Sequence, residues 1–231
     1  MFLKKKILAL IPARGGSKGI KFKNLKKING ISLIGHTSRF IDQCNFFDET
    51  IVSTESKRIK DETMKLKLKT FDRSKSTSKD YASDYEVIYE VLKDQNVKKK
   101  KFDFVVYLQP TSPIRKTSQL INGLKTVIRD NYDASWSVSK IDKKFHPKKI
   151  LKIKNKNILL SYSSSGKKIF ARQHLEDVYI RNGIFYIFRV SKFLKNTNIF
   201  LRKNYPSITN YPYVNIDTYE DLKKTREIFQ K

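Results

Sequence analysis

Residues 11–20, IPARGGSKGI, concentrate the chemistry of this sequence. An apolar run empties into a loop holding Gly15, Gly16 and Gly19, with Arg14 and Lys18 between and beside them and Lys21, Lys23 and Asn24 close behind. Glycines let backbone N–H groups approach phosphate oxygens closely, and the cations offset the charge of a triphosphate. The spacing excludes two common phosphate loops, since neither GxxxxGK[ST] nor GxGxxG occurs here. A different nucleotide-binding loop is required.

Three further segments carry polar groups in patterns that suit a ligand. LQPTSPIR, residues 108–115, places two prolines and several hydroxyls in one rigid turn, suited either to presenting Gln109 and Ser112 to a polar ligand or only to redirecting the chain. ARQ, residues 171–173, supplies Arg172, whose planar guanidinium fits a carboxylate in a fork; an ion pair with Glu176 or Asp177 is its rival use. NIDTYEDL, residues 215–222, supplies Asp217. Magnesium prefers oxygen ligands and often takes one or two carboxylates, the rest coming from water and substrate phosphates. Strand alternation puts positions 215 and 217 on one face, so Asn215 can add a carbonyl oxygen but no charge. His146 and His174 have no visible partner and read as solvated or structural.

Taken in order, RGGSKGI with KN, VSTE at 52–55, LQPTSPIR, ARQ with NGIFYI at 182–187, and NIDTYEDL resemble the motifs of the acylneuraminate cytidylyltransferases, the CMP-sialic acid synthetases. The resemblance runs over nearly the whole chain. It implies CTP contacts at Ala13, Arg14, Gly15, Gly16, Ser17, Lys23 and Asn24, a catalytic set of Arg14, Lys23 and Asp217, and sugar contacts at Gln109, Arg172, Asn182 and Tyr186. Magnesium would sit on Asp217 with Asn215 beside it. The implied reaction couples CTP to a nonulosonic acid of the N-acetylneuraminate or legionaminate type, giving a CMP-sugar for surface glycan synthesis and pyrophosphate. Two departures stand out: Asn215 replaces the first aspartate of the family's DID, and Lys21 replaces its usual proline.

These residues need a scaffold. Apolar, β-rich runs recur at 6–10, 50–53, 104–108 and 134–138, separated by helix candidates at 33–46, 56–68, 84–94 and 118–129. Ser83 followed by Glu86 has capping-box spacing, and Thr218 can cap a last helix over 219–230. The alternation predicts an α/β fold with a doubly wound, mostly parallel sheet, which the resemblance identifies as nucleotide-diphospho-sugar transferase-like. We expect one domain over 1–231, interrupted at 143–180 by a polar, basic inserted arm, which the resemblance assigns to dimerisation. A strand-like aromatic run resumes at 178–189.

Composition limits the alternatives. With 231 residues, 39% hydrophobic and 12% aromatic, the chain buries one sizeable core. Cys44 stands alone, so it makes no intrachain disulfide, and a reducing cytoplasm fits. The apolar start is broken by Pro12 and Arg14, too short for a membrane span or a typical signal sequence, so we expect no membrane partner. Forty-nine Lys and Arg against 22 Asp and Glu give +27, which would also attract nucleic acid. The lysines are scattered rather than gathered, so a small anionic substrate is preferred over polynucleotide as partner. A nucleic-acid-binding protein and a catalytically decayed relative are the alternatives to the enzyme.

Overall fold

The computed structural model describes residues 1–17, 19–165 and 171–230, without the Arg172 side chain. The chain opens with β1 (Ile7–Pro12), then two short strands, β2 (Lys27–Ile28) and β3 (Ile31–Ser32), and α1 (Leu33–Cys44). Next come β4 (Glu49–Thr54), α2 (Lys57–Lys65), β5 (Lys69–Asp72), α3 (Asp84–Lys93), the single turn α4 (Gln95–Lys98) and β6 (Phe104–Tyr107). The second half holds α5 (Thr117–Arg129), β7 (Ala134–Lys140), β8 (Leu151–Lys154) and β9 (Ile158–Ser161). It closes with β10 (Tyr179–Arg189), the short α6 (Val190–Phe193), β11 (Asn204–Ile208) and α7 (Tyr219–Gln230).

Seven strands form one sheet in the order β11-β7-β10-β6-β1-β4-β5. All pairings are parallel except those of β10, which runs antiparallel to both β6 and β7. The α/β architecture with a mostly parallel sheet is therefore as expected. Strand alternation explains why β1 reads as a continuous apolar run: Ile7, Ala9 and Ile11 enter one core, with Val52, Phe104, Val106 and residues of α1 and α5, while Leu8 and Leu10 enter another, with Val105, Tyr107 and α3. A strand covered on both faces cannot alternate with polar residues.

Local signals set the helix starts. Ser32 Oγ accepts from the Gly35 N–H at the start of α1. At α3, Ser83 Oγ accepts from the Glu86 N–H while the Glu86 carboxylate accepts from the Ser83 N–H, the reciprocal capping box that the spacing foretold. Two strands of the main sheet, β5 and β11, were not anticipated. They are short edge strands with exposed polar positions, and β11 tolerates Pro206 for that reason. Within the 143–180 segment, β8 and β9 pair only with each other, as a two-stranded ribbon apart from the main sheet. His146, expected to be solvated or structural, is buried, its Nδ1 accepting from the Lys148 N–H; His174 is exposed. Among the described residues no helix is long and apolar enough to cross a membrane.

Candidate active site

Because β1, β4, β5 and β6 are parallel, their C-terminal ends share one edge of the sheet. In open α/β sheets ligands bind beyond that edge, and here a cleft of about 440 Å³ lies there. The chain leaving β1 contributes Arg14, Ser17, Gly19, Lys23 and Asn24; β5 leads into Arg73 and Thr77; β6 leads into Gln109 and Thr111. The approach to α7 adds Asn215 and Asp217. Residues almost two hundred positions apart in sequence thus face one space.

The loop is held by carboxylates. The Gly15 N–H donates to Glu55 Oε1 (2.7 Å), Arg14 Nη1 donates to Asp80 Oδ1 (2.5 Å), and Lys23 Nζ donates to Asp217 Oδ1 (2.7 Å). These three donors are pre-placed against acids, so an incoming polyphosphate would exchange one anion for another. Asn24 is buried and donates to the Arg14 carbonyl (3.1 Å), tying the loop to the short 3₁₀ turn that follows it. Gly19 is required by close approach: a Cβ there would lie 2.3 Å from the Asp217 carbonyl oxygen. Gly16 is different, for nothing lies within 4 Å of an added Cβ. Ala13 is fully buried, its N–H donating to the Ser53 carbonyl; its side chain fixes the root of the loop and does not line the cleft.

The residues implied for the sugar divide. Gln109 lines the cleft and packs against Gly183, whose positive φ (+72°) leaves its face open to the Gln109 amide. Asn182 and Tyr186, expected at the sugar, are not among the residues that line it. Asn182 sits at an irregularity in the β10–β7 pairing, where its Nδ2 donates to Ser139 Oγ and Thr209 Oγ1 and its Oδ1 accepts from Ser137 Oγ and the Ile184 N–H. Both ends of the amide are spent on the fold. Tyr186 packs between Trp136 and Tyr107, and burial pushes its phenol up to about 12. Ser112 likewise turns inward and donates to the Asn182 carbonyl. The Arg172 side chain lies outside the described residues; of its rival partners, Asp177 pairs with Lys140 and Glu176 with Lys148.

Several cleft residues escaped the sequence reading. Arg73 is buried, its Nε donating to Ser53 Oγ and its Nη2 to the Ser53 carbonyl. Burial works against its charge, while Tyr107, Glu55 and Glu90 support it and Arg14 opposes it. Beside it Tyr107, whose phenol burial raises far above its ordinary range, donates to Asp84 Oδ1 at the start of α3. Glu90 fixes the turn between them by accepting from the Ser74 N–H and Thr77 Oγ1. The signal for Arg73 was available in principle: it follows directly after β5, at the same sheet edge as Arg14.

For a cation, the donor set is small. Among the described residues no group of three or more His, Cys, Asp or Glu is arranged to hold a metal ion. Asp217 is exposed and its second oxygen accepts from Asn215 Nδ2 (3.2 Å), which turns the Asn215 amide nitrogen, not its oxygen, toward the carboxylate. One carboxylate and one amide oxygen fit magnesium only where substrate phosphates and water complete the shell.

The family profile described as Cytidylyltransferase matches residues 8–231. An N-acylneuraminate cytidylyltransferase of Streptococcus agalactiae serotype V is 26% identical over 220 residues, 94% of this chain, and the chain spans only 52% of that relative's length. A CMP-N,N'-diacetyllegionaminic acid synthase of Legionella pneumophila is 28% identical over 229 residues, covering 97% of both chains. A solved CMP:2-keto-3-deoxy-manno-octonic acid synthetase, complexed with CTP, shares the fold with a TM-score of 0.72 at 18% identity, over 97% of this chain and 98% of its own. With its match running from the first strand of the sheet to the last residue, the chain belongs to the cytidylyltransferase family.

Proposed function

We propose that this enzyme transfers CMP from CTP to the anomeric hydroxyl of a nonulosonic acid of the N-acetylneuraminate or legionaminate type, releasing pyrophosphate. The observation that carries the reading is the convergence of Arg14, Lys23, Gln109 and Asp217 in one cleft at the carboxyl edge of the sheet. The Streptococcus and Legionella relatives, named for acidic-sugar activation, support the substrate class.

In this reading Arg14, Lys23 and the Gly15 amide leave their carboxylate partners and meet the triphosphate. Ser17 and Gly16 line its path and Asn24 holds the loop in register. Charge that grows on the α-phosphoryl oxygens and the leaving pyrophosphate then faces fixed cations, the arrangement that most lowers a phosphoryl-transfer barrier. Gln109 orients the sugar, and Arg172 takes its carboxylate. Asn182 and Tyr186 act by shaping the strand behind Gly183. Asp217, with the Asn215 carbonyl after a flip of that amide, would hold magnesium, which when bound neutralises phosphate charge. Residues 1–231 act as one domain, the 143–180 arm joins two copies into a homodimer, and the enzyme works in the cytoplasm.

The test is pyrophosphate release with CTP, ATP or UTP against a panel of nonulosonic acids, with and without magnesium. Release that needs both CTP and one of these sugars is expected, and Arg14→Ala or Asp217→Ala should each lower it about 10²- to 10³-fold in a folded protein. Silence across the panel, or near wild-type turnover in either variant, sinks the assignment.

A further inference from the structure

A second cavity, of about 650 Å³, lies between α1, the Pro113–Arg115 stretch and the end of α7, and shares no lining residue with the cleft above. Its wall is part cationic and part apolar: His36, Arg39 and Arg115 face it together with Phe40, Ile114 and Phe229. No acidic side chain is among the described residues that line it. The three basic groups feel one another. Burial holds His36 below its ordinary value against the hydrogen bond to the Ile28 carbonyl, and the charges of Arg39 and Arg115 push the same way as burial.

Arg115 is the anomaly. Its Nε donates to the Ile184 carbonyl (2.9 Å), Nη1 to Thr37 Oγ1 (3.3 Å) and Nη2 to the Gln109 carbonyl. All three acceptors are neutral, and among the described residues the groups that support its charge are Tyr211 and Cys44, neither a carboxylate. A desolvated cation without a counter-ion is costly, and three acceptors leave two of the five guanidinium N–H groups to spare. The His36 ring, its Nε2 at the Ile28 carbonyl and its centroid 4.9 Å from that of Phe229, has Nδ1 left for a ligand.

We propose that this cavity is a second ligand site, taking a small molecule that carries a carboxylate or phosphate on an apolar body. The anionic group neutralises Arg39 and Arg115 and draws a proton onto His36, while the body packs on Phe40, Ile114 and Phe229. The proposal is independent of the reaction assigned to the first cleft. Through the Gln109 carbonyl, however, Arg115 reaches the turn that lines it.

The test labels histidine Cε1 with ¹³C, assigns the His36 resonance with His36→Gln, and titrates the protein with phenyl phosphate or, separately, phenol. A saturable His36 shift with phenyl phosphate is expected, with phenol binding at least about tenfold more weakly. Arg39 is exposed and outside the first cleft, so Arg39→Glu should fold normally and abolish the shift. No saturable shift up to about 10 mM probe, equal binding of phenol, or unchanged binding by Arg39→Glu would each overturn the proposal.

Discussion

At the scale of single residues, Gly16 and Gly19 of the loop separate chemistry from geometry. An added methyl at position 19 meets the Asp217 carbonyl oxygen at 2.3 Å, closer than real Cβ atoms come to anything, so the loop and the Asp217 segment must part. Since Lys23 and Asp217 are paired across that junction, Gly19→Ala should disturb both phosphate and metal handling. We expect kcat/KM for CTP to fall at least about tenfold, roughly 1.4 kcal/mol of transition-state stabilisation, with the melting temperature little changed. Gly16→Ala meets nothing and should stay within about twofold of wild type. Equal losses in both variants would mean that the loop needs glycine for flexibility and not for this contact. Asn215 admits a gain of function: Asn215→Asp replaces an amide donor with a second carboxylate beside Asp217, and more ligand charge tightens divalent binding. Mn²⁺ titration followed by EPR should show a tighter site than wild type, and unchanged affinity would place the ion elsewhere. Arg14, Lys23 and Asp217, which the cleft brings together, could be singled out because their motifs put charge close to glycines or just ahead of a helix. The setting of Asn182 and Tyr186 was not legible, because a motif says that a residue matters and not which way its side chain turns; at the irregularity between Arg181 and Tyr186 the Asn182 amide bonds within the sheet.

At the scale of elements, helices and central strands were read to within a few residues because their signals are dense. The α3 capping box makes the point quantitatively. Losing a Ser N-cap costs about 1 kcal/mol, which for a chain of this length corresponds to a melting shift of about 2–4 °C. Ser83→Ala should show that shift. The hydrogen bonds from Ser83 hold the Glu86 carboxyl below its ordinary 4.5, so its stabilising share is present above that pH and is lost as pH falls through the lower folded value. The Ser83→Ala penalty measured by urea unfolding should therefore shrink at pH 3 relative to pH 7; a constant penalty would assign the effect to the hydroxyl alone. The edge strands were illegible for the opposite reason. In β5 only Phe71 of Lys69–Asp72 is even partly buried by an apolar side chain, so no hydrophobic pattern announces it. With β5 unseen, Arg73 at its exit went unseen too.

At the scale of the whole molecule, the +27 charge and the 143–180 arm ask what this chain meets. Charge bears on association rather than on fold, and it is offset locally around the phosphate loop by Asp80, Asp217 and Glu55, which leaves the arm as the feature with a definite structural demand. A two-stranded ribbon in water is marginal by itself. In β8–β9, Ile153 pairs with Leu159 across the strands and Leu151 lies two residues along on the same face, all three exposed, whereas Lys152 and Lys154 share the other face with Leu160 and Ile158. A face without charge and a face that carries both lysines suit a ribbon that lies against protein on the first and nearer water on the second. If a second copy covers the apolar face, light scattering at micromolar concentration should give twice the 27.2 kDa of one chain, and the pair Ile153→Lys with Leu159→Lys should halve that mass without unfolding the main sheet, which β8 and β9 do not join. A wild-type mass of one chain, or a double variant that keeps the dimer, would remove the arm from the interface. Comparing pyrophosphate release between the two species then shows whether the cleft works within one chain or needs the neighbouring copy.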